Sequence, residues 1–168
     1  LCFIFLLAIV LRVLFLGTIP SGFHGDEGWT IIEARRILQE GSIGFWSPAA
    51  LGQAALGYYW TALFLFLFGD SIFVTRLSFV ILTFFAIPFF YLTVKMLFTK
   101  NIALIATLLF STSSTILAFS RRADFIAMSF PFFPAVFFFW KAIRTEKIWY
   151  FVLAGIFIGL LHHVYAGF

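Results

Sequence analysis

Apolar positions along the chain fall into five long runs, separated by short polar breaks and one long connection. The runs cover about 1–19, 71–94, 102–119, 125–142 and 148–168. A helix crosses the hydrocarbon core of a bilayer with about 20 mostly apolar residues, and each run approaches that length. Because lipid cannot hydrogen-bond the backbone, a crossing segment of this kind is helical. The pattern predicts an all-α, polytopic transmembrane helical bundle of five spans.

The long connection, residues 20–70, divides into three parts. Its first part, "DEGWTIIEARRILQEG", predicts a short helix, because acids stand in the first turn, where the helix dipole favours them, and Gly41 is a natural stop. Apolar residues at helical spacing predict the buried stripe, namely Ile31, Ala34, Ile37 and Leu38. The second part, "SIGFWSPAALGQ", has the composition of a loop.

The third part is the apolar run 56–68, which admits two interpretations. It is shorter than an ordinary span and carries "YYW" near one end, as helices at the headgroup level do. These features predict a juxtamembrane helix that lies on the membrane or dips into it. If the run crossed instead, only "GD" would separate it from the next span.

The distribution of basic residues favours the juxtamembrane interpretation. With the run 56–68 outside the bilayer core, two loops share one face and carry five basic residues, namely Lys95, Lys100, Lys141, Arg144 and Lys147. The positive-inside rule places such loops in the cytoplasm. The stretches "SGFHGDEGWT" (21–30, the acidic segment) and "SRRADF" (120–125, the arginine turn) then share the extracytoplasmic face. If the run crossed, these two stretches would lie on opposite faces.

Composition agrees with a membrane protein. Of 168 residues 63% are hydrophobic, 27 are phenylalanine and 11% are charged, which is more apolar surface than a soluble domain of this size can bury. The net charge of +4 suits basic cytoplasmic loops, and nothing indicates nucleic acid. Cys2 is the only cysteine, which excludes an internal disulfide. Because the chain begins and ends inside apolar runs, we expect the N-terminal portion of a larger polytopic protein.

The acidic segment holds the first candidate chemistry. Asp26 and Glu27 could cap the following helix, with Asp26 as the cap. Alternatively, carboxylates beside apolar surface can acquire raised pKa values, which suit proton abstraction from an acceptor hydroxyl. The adjacent His24 is a loop histidine or, less in keeping with its spacing, a metal ligand.

The arginine turn holds the second candidate chemistry. One interpretation is a solvated interfacial turn with an Arg–Asp pair. The other is that Arg121 or Arg122 binds a phosphate through its planar guanidinium, while Asp124 completes an acidic site.

A transporter is an alternative function, with Arg12, Arg76, His162 and His163 along a polar path. Transporters often contain inverted repeats, and the sequence shows no internal repeat. If these residues do not form a polar path, we expect both arginines to snorkel to the interface. The two histidines would then form a buried, hydrogen-bonded pair. A non-catalytic membrane scaffold is a third reading, in which the acidic segment is only a helix cap.

The order of motifs resembles a known family. The chain runs through "HGDEGW", "GQAALGYYW", "LFGDS", "TRLSFV", "LLFSTSSTILAFSRRADF" and "LAGIFIGLLHHVYAG". This order resembles the N-terminal half of polytopic GT-C-fold glycosyltransferases, in the family-39-like, protein-mannosyltransferase-related group that includes bacterial lipid A aminoarabinose transferases. The resemblance covers essentially the whole chain, and its sharpest motif is the Asp–Glu pair.

The resemblance implies an enzyme in the plasma membrane that moves a sugar from a polyprenyl-phosphate carrier to a lipid, glycan or protein acceptor on the extracytoplasmic side. Asp26 would be the acid/base or metal-site carboxylate, Glu27 its neighbour and Asp124 a second acidic site. A divalent metal, if one is used, would bind Asp26 and Asp124. The helices between 28 and 68 would roof the carrier site. The candidate substrate-binding residues are His24, Arg121, Arg122, Tyr58 and Tyr59.

Overall fold

The computed structural model describes residues 1–47, 49–123 and 130–164, and this part of the chain is mostly helical, as predicted. Its helices are α1 (Cys2–Val13), α2 (Gly25–Glu40), α3 (Leu56–Phe68), α4 (Ile72–Leu97), α5 (Lys100–Thr112), α6 (Ser114–Ser120), α7 (Phe132–Thr145) and α8 (Ile148–Val164). The sequence did not predict two short antiparallel strands in the loop between α2 and α3, β1 (Trp46–Ser47) and β2 (Gln53–Ala54).

α4 is the longest helix of the described chain. It has 26 residues and is capped by the Ser71 side chain, which accepts a hydrogen bond from the backbone N–H of Val74 at 3.2 Å. Among the described residues, α4 is the one unbroken helix long and apolar enough to cross a membrane. α5 and α6 pass the same test only together, because a bend of 57° separates them. The described chain therefore has one or two candidate spans.

Several predicted spans have different bounds in the structure. The run 1–19 is helical only in α1, and the run 102–119 is broken between α5 and α6. The break falls at Ser113, whose backbone leaves the helical region with ψ of 127°. The predicted span 125–142 is described from residue 130, and the span 148–168 up to residue 164. The five-span arrangement therefore stays a prediction.

α4 is the centre of the packing. It contacts α1, α3, α5, α6 and α7, while α8 packs against α7 and also touches α3 and β2. On one side of this group, α2 packs against α3 around a core of buried apolar side chains. α2, whose first turn belongs to the acidic segment, thus packs on the other helices through α3.

The bounds and buried face of α2 agree well with the prediction. α2 ends at Glu40, and Gly41 follows with a φ of +82°, a conformation that glycine adopts at low cost. Ile31, Ala34 and Ile37 are buried in the core as predicted. Leu38 was wrongly included in the stripe, because 46% of it is exposed.

Large apolar side chains are exposed on the outside of several helices. Examples from α1, α3, α5 and α8 are Phe3, Leu6, Phe66, Leu109 and Trp149, each more than half exposed. Contiguous apolar surface of this kind is unfavourable in water and suits contact with lipid tails or further protein.

Membrane topology gives a first testable prediction. In a variant with Cys2→Ser, which removes the exposed native thiol, single cysteines at Asn101 and Thr145 should react with an impermeant thiol reagent only from the cytoplasm. Single cysteines at Ser21 and Ser42 should react only from outside. Labelling of Asn101→Cys from outside would contradict the juxtamembrane position of α3, because that position sets which loops share a face.

Candidate functional site

The N-terminus of α2 carries both predicted carboxylates. His24 is the N-cap residue, and its backbone N–H donates to Oε2 of Glu27 at 3.2 Å. A glutamate in the first turn that accepts from the N-cap amide is half of a capping box. The interpretation of Asp26 as the cap is therefore wrong. His24 is the N-cap residue, and Glu27 accepts the hydrogen bond from its amide.

Asp26 is comparatively free. Its side chain is 49% exposed, and its one close titratable neighbour in the described chain is His24, with Nδ1 at 3.5 Å from Oδ2. Within the described residues, the Asp26 carboxylate accepts no hydrogen bond. A carboxylate that the fold does not use can act on a substrate.

Glu27 has the opposite environment. Only 1% of its side chain is exposed, and Arg76 donates to it twice, from Nε to Oε1 at 2.9 Å and from Nη2 to Oε2 at 3.1 Å. The backbone N–H of Ala123 also donates to Oε1 at 3.0 Å. Burial alone would raise the pKa of Glu27, but the hydrogen bonds from Arg76, Ala123 and His24 outweigh it and hold the pKa below its ordinary value. The geometry gives Glu27 a structural role at this site.

Arg76, in α4, also holds the backbone that leads into α2. Its Nη1 donates to the carbonyls of Leu16 and Pro20 at 3.1 and 2.9 Å, and its Nη2 donates to the carbonyl of Gly22 at 2.8 Å. Since Arg76 is 1% exposed, the expectation that it snorkels is wrong. Instead, its buried ion pair with Glu27 joins α4 to α2, and its hydrogen bonds to the three carbonyls join α4 to the linker between α1 and α2.

Arg121 holds the same linker from the other side. Its guanidinium donates to the carbonyl of Leu11, to that of Leu14 at 2.7 Å and to that of Ile19 at 3.0 Å. The carbonyls at the end of a helix lack partners within it, so a cation there is favourable. Burial, and then repulsion from Arg76, lowers the pKa of Arg121. These contacts occupy Arg121 with backbone and leave it less suited to bind a phosphate.

The arginine turn contacts the N-terminal half of α2. Ala123 donates to Glu27, as above, and its carbonyl accepts from Oγ1 of Thr30 at 2.8 Å. The acidic segment and the arginine turn therefore meet, as their predicted common face requires. Arg122 is partly exposed, and its side chain has no ion pair with the described residues. Asp124 lies outside the described residues.

The two tyrosines predicted to bind substrate face different surroundings. Tyr58 is fully buried in the core between α2 and α3, and burial, followed by the negative charges of Glu33 and Asp26, raises its pKa above the ordinary value. The Tyr59 hydroxyl lies 2.8 Å from Oγ of Ser42 and accepts from the backbone N–H of Ile43 at 3.0 Å. Tyr59 therefore ties the loop after α2 to α3.

A cavity of about 530 Å³ lies beside α3 and α4. Its lining is almost entirely apolar and consists of Leu56, Gly57, Tyr59, Trp60, Leu63, Ile81, Leu82, Phe85, Phe130 and Leu160. α3 thus borders both the carboxylates, through Tyr58, and the cavity, through Tyr59.

The remaining groups of the polar path suggested by the sequence do not behave as expected. Arg12 is buried, and its Nη1 donates to the carbonyls of Ala8 and Ser111, both at 3.1 Å, so it does not snorkel. His162 and His163 are exposed, with ring centroids 6.3 and 6.1 Å from that of Trp46, so the expected buried pair is wrong. The contact of Arg12 with the carbonyl of Ser111 joins distant parts of the chain, and no feature of the sequence around Arg12 indicates it.

Within residues 1–47, 49–123 and 130–164, no group of three or more histidine, cysteine, aspartate or glutamate side chains could hold a metal ion. His24 and Asp26 form the pair at the acidic segment. Binding of a divalent metal by Asp26 and Asp124 stays a prediction.

Comparison with known proteins identifies the family. The model of the dolichyl-phosphate-mannose-protein mannosyltransferase family matches residues 53–165, which begin after the acidic segment. No curated protein and no solved structure matches the chain. The matched region covers more than half of the 168 residues. The chain belongs to the dolichyl-phosphate-mannose-protein mannosyltransferase family, a family of membrane-integral glycosyltransferases.

Proposed function

We propose that this protein moves a sugar from a polyprenyl-phosphate carrier to an acceptor on the extracytoplasmic face of the plasma membrane. The observation that carries the proposal is the contrast between two adjacent carboxylates in a glycosyltransferase family. Glu27 is buried and fully engaged by the fold, while Asp26 is half exposed and unused by it. The fold thus anchors the start of α2 through Glu27 and leaves the Asp26 carboxylate available at the surface, as general-base catalysis requires.

The reaction is a substitution at the anomeric carbon of the sugar. The acceptor oxygen forms a bond to that carbon, the bond from the carbon to the carrier phosphate oxygen breaks, and the acceptor proton passes to Asp26. Attack in a single displacement inverts the anomeric centre. Negative charge develops on the leaving phosphate, and we assign Arg122, whose guanidinium forms no ion pair in the described chain, to bind it. Asp124 would add a second acidic group.

The apolar cavity suits the lipid part of the donor. Its walls come from α3, α4 and α8 and carry almost no polar surface, so it favours a prenyl chain over a sugar or phosphate. Because α3 separates the cavity from the carboxylates, a carrier with its chain in the cavity could present its headgroup around the N-terminus of α3.

The contact between the acidic segment and the arginine turn supports a common face for both. Glu27 and Thr30 bond directly to Ala123, so these elements cannot lie on opposite sides of a bilayer. An even number of crossings must connect them. Two crossings, by α4 and by α5 with α6, satisfy this requirement if α3 stays at the membrane surface.

The transporter alternative is not favoured. Arg76 binds Glu27 and backbone carbonyls, and Arg12 binds two carbonyls, so neither lines a solvated path. The family is one of glycosyltransferases.

Changing each arginine of the arginine turn to lysine should have a different effect at the two positions. In Arg122→Lys we expect the donor KM to rise roughly 10-fold, because a point charge replaces a two-pronged phosphate contact. In Arg121→Lys we expect lower thermal stability with a donor KM close to that of the wild type, because its contacts are to backbone carbonyls. An unchanged donor KM in Arg122→Lys would remove Arg122 from the phosphate site.

The proposed activity is tested with membranes that contain the overexpressed protein. They receive radiolabelled polyprenyl-phosphate sugars, and membranes from cells with an empty vector serve as the control. We expect label to move into a lipid, glycan or protein fraction only where the protein is present. Absence of transfer from every sugar carrier tried would contradict the proposal.

A further inference from the structure

Glu33 is a buried acid without a hydrogen-bond partner among the described residues. None of its surface is exposed, and neither Oε1 nor Oε2 accepts a hydrogen bond from the described residues. A buried polar group without a hydrogen bond costs free energy, and a carboxylate costs more than a neutral group. If packing alone mattered, this position would suit an apolar residue like the neighbouring Ala34.

Glu27 gives the contrast on the same helix. It is buried to nearly the same extent, yet it accepts four hydrogen bonds, from the His24 amide, the Ala123 amide and two nitrogens of Arg76. The fold therefore supplies donors where a buried carboxylate is structural. Donors for Glu33 have to come from elsewhere.

The position of Glu33 links it to Asp26. Asp26, Thr30 and Glu33 are spaced by four and three residues, which places them along one face of α2. Glu33 lies about 10 Å along the helix axis from Asp26. Tyr58, from α3, is close enough to both acids for their charges to raise its pKa, after the larger effect of burial. The exposed Asp26 is thus the outer end and the buried Glu33 the inner end of one polar face.

We propose that Glu33 binds hydroxyl groups of a carbohydrate substrate whose reacting atom lies at Asp26. An ionised carboxylate is an acceptor only, and sugar hydroxyls supply the donors that it lacks. Sugar hydroxyls fit this position better than the prenyl chain, which cannot donate a hydrogen bond, or the carrier phosphate, whose oxygens are acceptors. The inference rests on the proposed function and adds to it a determinant of sugar recognition. The hydroxyls could belong to the donor sugar or to the acceptor, since both present the same chemistry.

The test is Glu33→Gln in the purified protein, with Glu40→Gln as the matched control. Glu40 is on the same helix but is exposed and paired with Arg36 at 3.0 Å, so its change should be neutral. In Glu33→Gln we expect KM for one sugar substrate to rise roughly 10- to 100-fold, the usual worth of hydrogen bonds to a charged group. A rise in the donor KM assigns the hydroxyls to the donor, and a rise in the acceptor KM assigns them to the acceptor. Unchanged KM values for both substrates would overturn the inference.

A second measurement separates this inference from the proposed transfer reaction. Thermal unfolding of the protein is measured with a polyprenyl-phosphate sugar and with sugar-free polyprenyl phosphate. Any extra stabilisation by the first ligand reports binding of the sugar without turnover. If the hydroxyls belong to the donor sugar, we expect this extra stabilisation in the wild type and in Glu40→Gln, but not in Glu33→Gln. If wild-type protein binds the sugar but never transfers it, the proposed function fails and the role of Glu33 stands. The role of Glu33 fails if the sugar adds equal stabilisation in all three proteins, or none in any, and the acceptor KM of Glu33→Gln is also unchanged.

Discussion

Asp26→Asn is expected to lower kcat by roughly 10²-fold or more, the usual contribution of a general base. Asparagine has nearly the same shape as aspartate and is tolerated at the start of a helix, so the protein should fold and insert normally. The Asp26 carboxylate accepts no hydrogen bond within the described chain, so the change affects only its contact with His24, at 3.5 Å, on the exposed surface. The loss should therefore appear in turnover, with thermal stability close to that of the wild type.

Asp70→Asn is the matched control for this variant. Asp70 is an exposed aspartate that accepts from Arg35 at 2.7 and 3.0 Å, and surface pairs of this kind contribute about 1 kcal/mol or less. We expect Asp70→Asn to keep normal kcat. Normal turnover in Asp26→Asn would show that this carboxylate is not the base.

Arg76→Lys is expected to have the largest effect on stability. Lysine can replace neither the paired contact to Glu27 nor all three carbonyl contacts in the linker, so a buried carboxylate and several carbonyls would lose donors. Breaking a buried ion pair typically costs about 3–5 kcal/mol. Thermal unfolding of the purified protein in detergent measures the effect, and Glu27→Gln should shift stability in the same direction.

Arg35→Lys is the control for the change at Arg76. Arg35 also makes a two-pronged contact to a carboxylate, but both side chains are about half exposed, so the loss should stay within about 1 kcal/mol. Equal stability of Arg76→Lys and Arg35→Lys would show that the buried pair does not hold the linker in place.

The local features of the site were predictable from the sequence. α2 follows from the acids in its first turn, its apolar stripe and Gly41, because these signals act within a few residues. The importance of the acidic segment follows in the same way, since two carboxylates are conspicuous in a chain with few charges.

The different environments of Asp26 and Glu27 were not predictable, because they depend on contacts between distant parts of the chain. Glu27 is engaged by Arg76 and by the amide of Ala123, and neither partner is near it in sequence. For the same reason Arg76 and Arg121, which seemed free to reach the membrane surface or a phosphate, bind carbonyls of the linker between α1 and α2. The burial of Glu33 likewise depends on tertiary packing, so no local feature of the sequence indicates it.

The most direct test of the central claim measures both products of the reaction, the glycosylated acceptor and the released polyprenyl phosphate. The assay contains purified protein and a membrane extract that supplies the acceptor. A polyprenyl-phosphate sugar labelled in both its sugar and its lipid shows whether each sugar transferred releases one polyprenyl phosphate. We predict equal amounts of glycosylated acceptor and released carrier with the wild type, and little of either with Asp26→Asn. Equal product formation by Asp26→Asn, or transfer of sugar without release of an equal amount of carrier, would contradict the account.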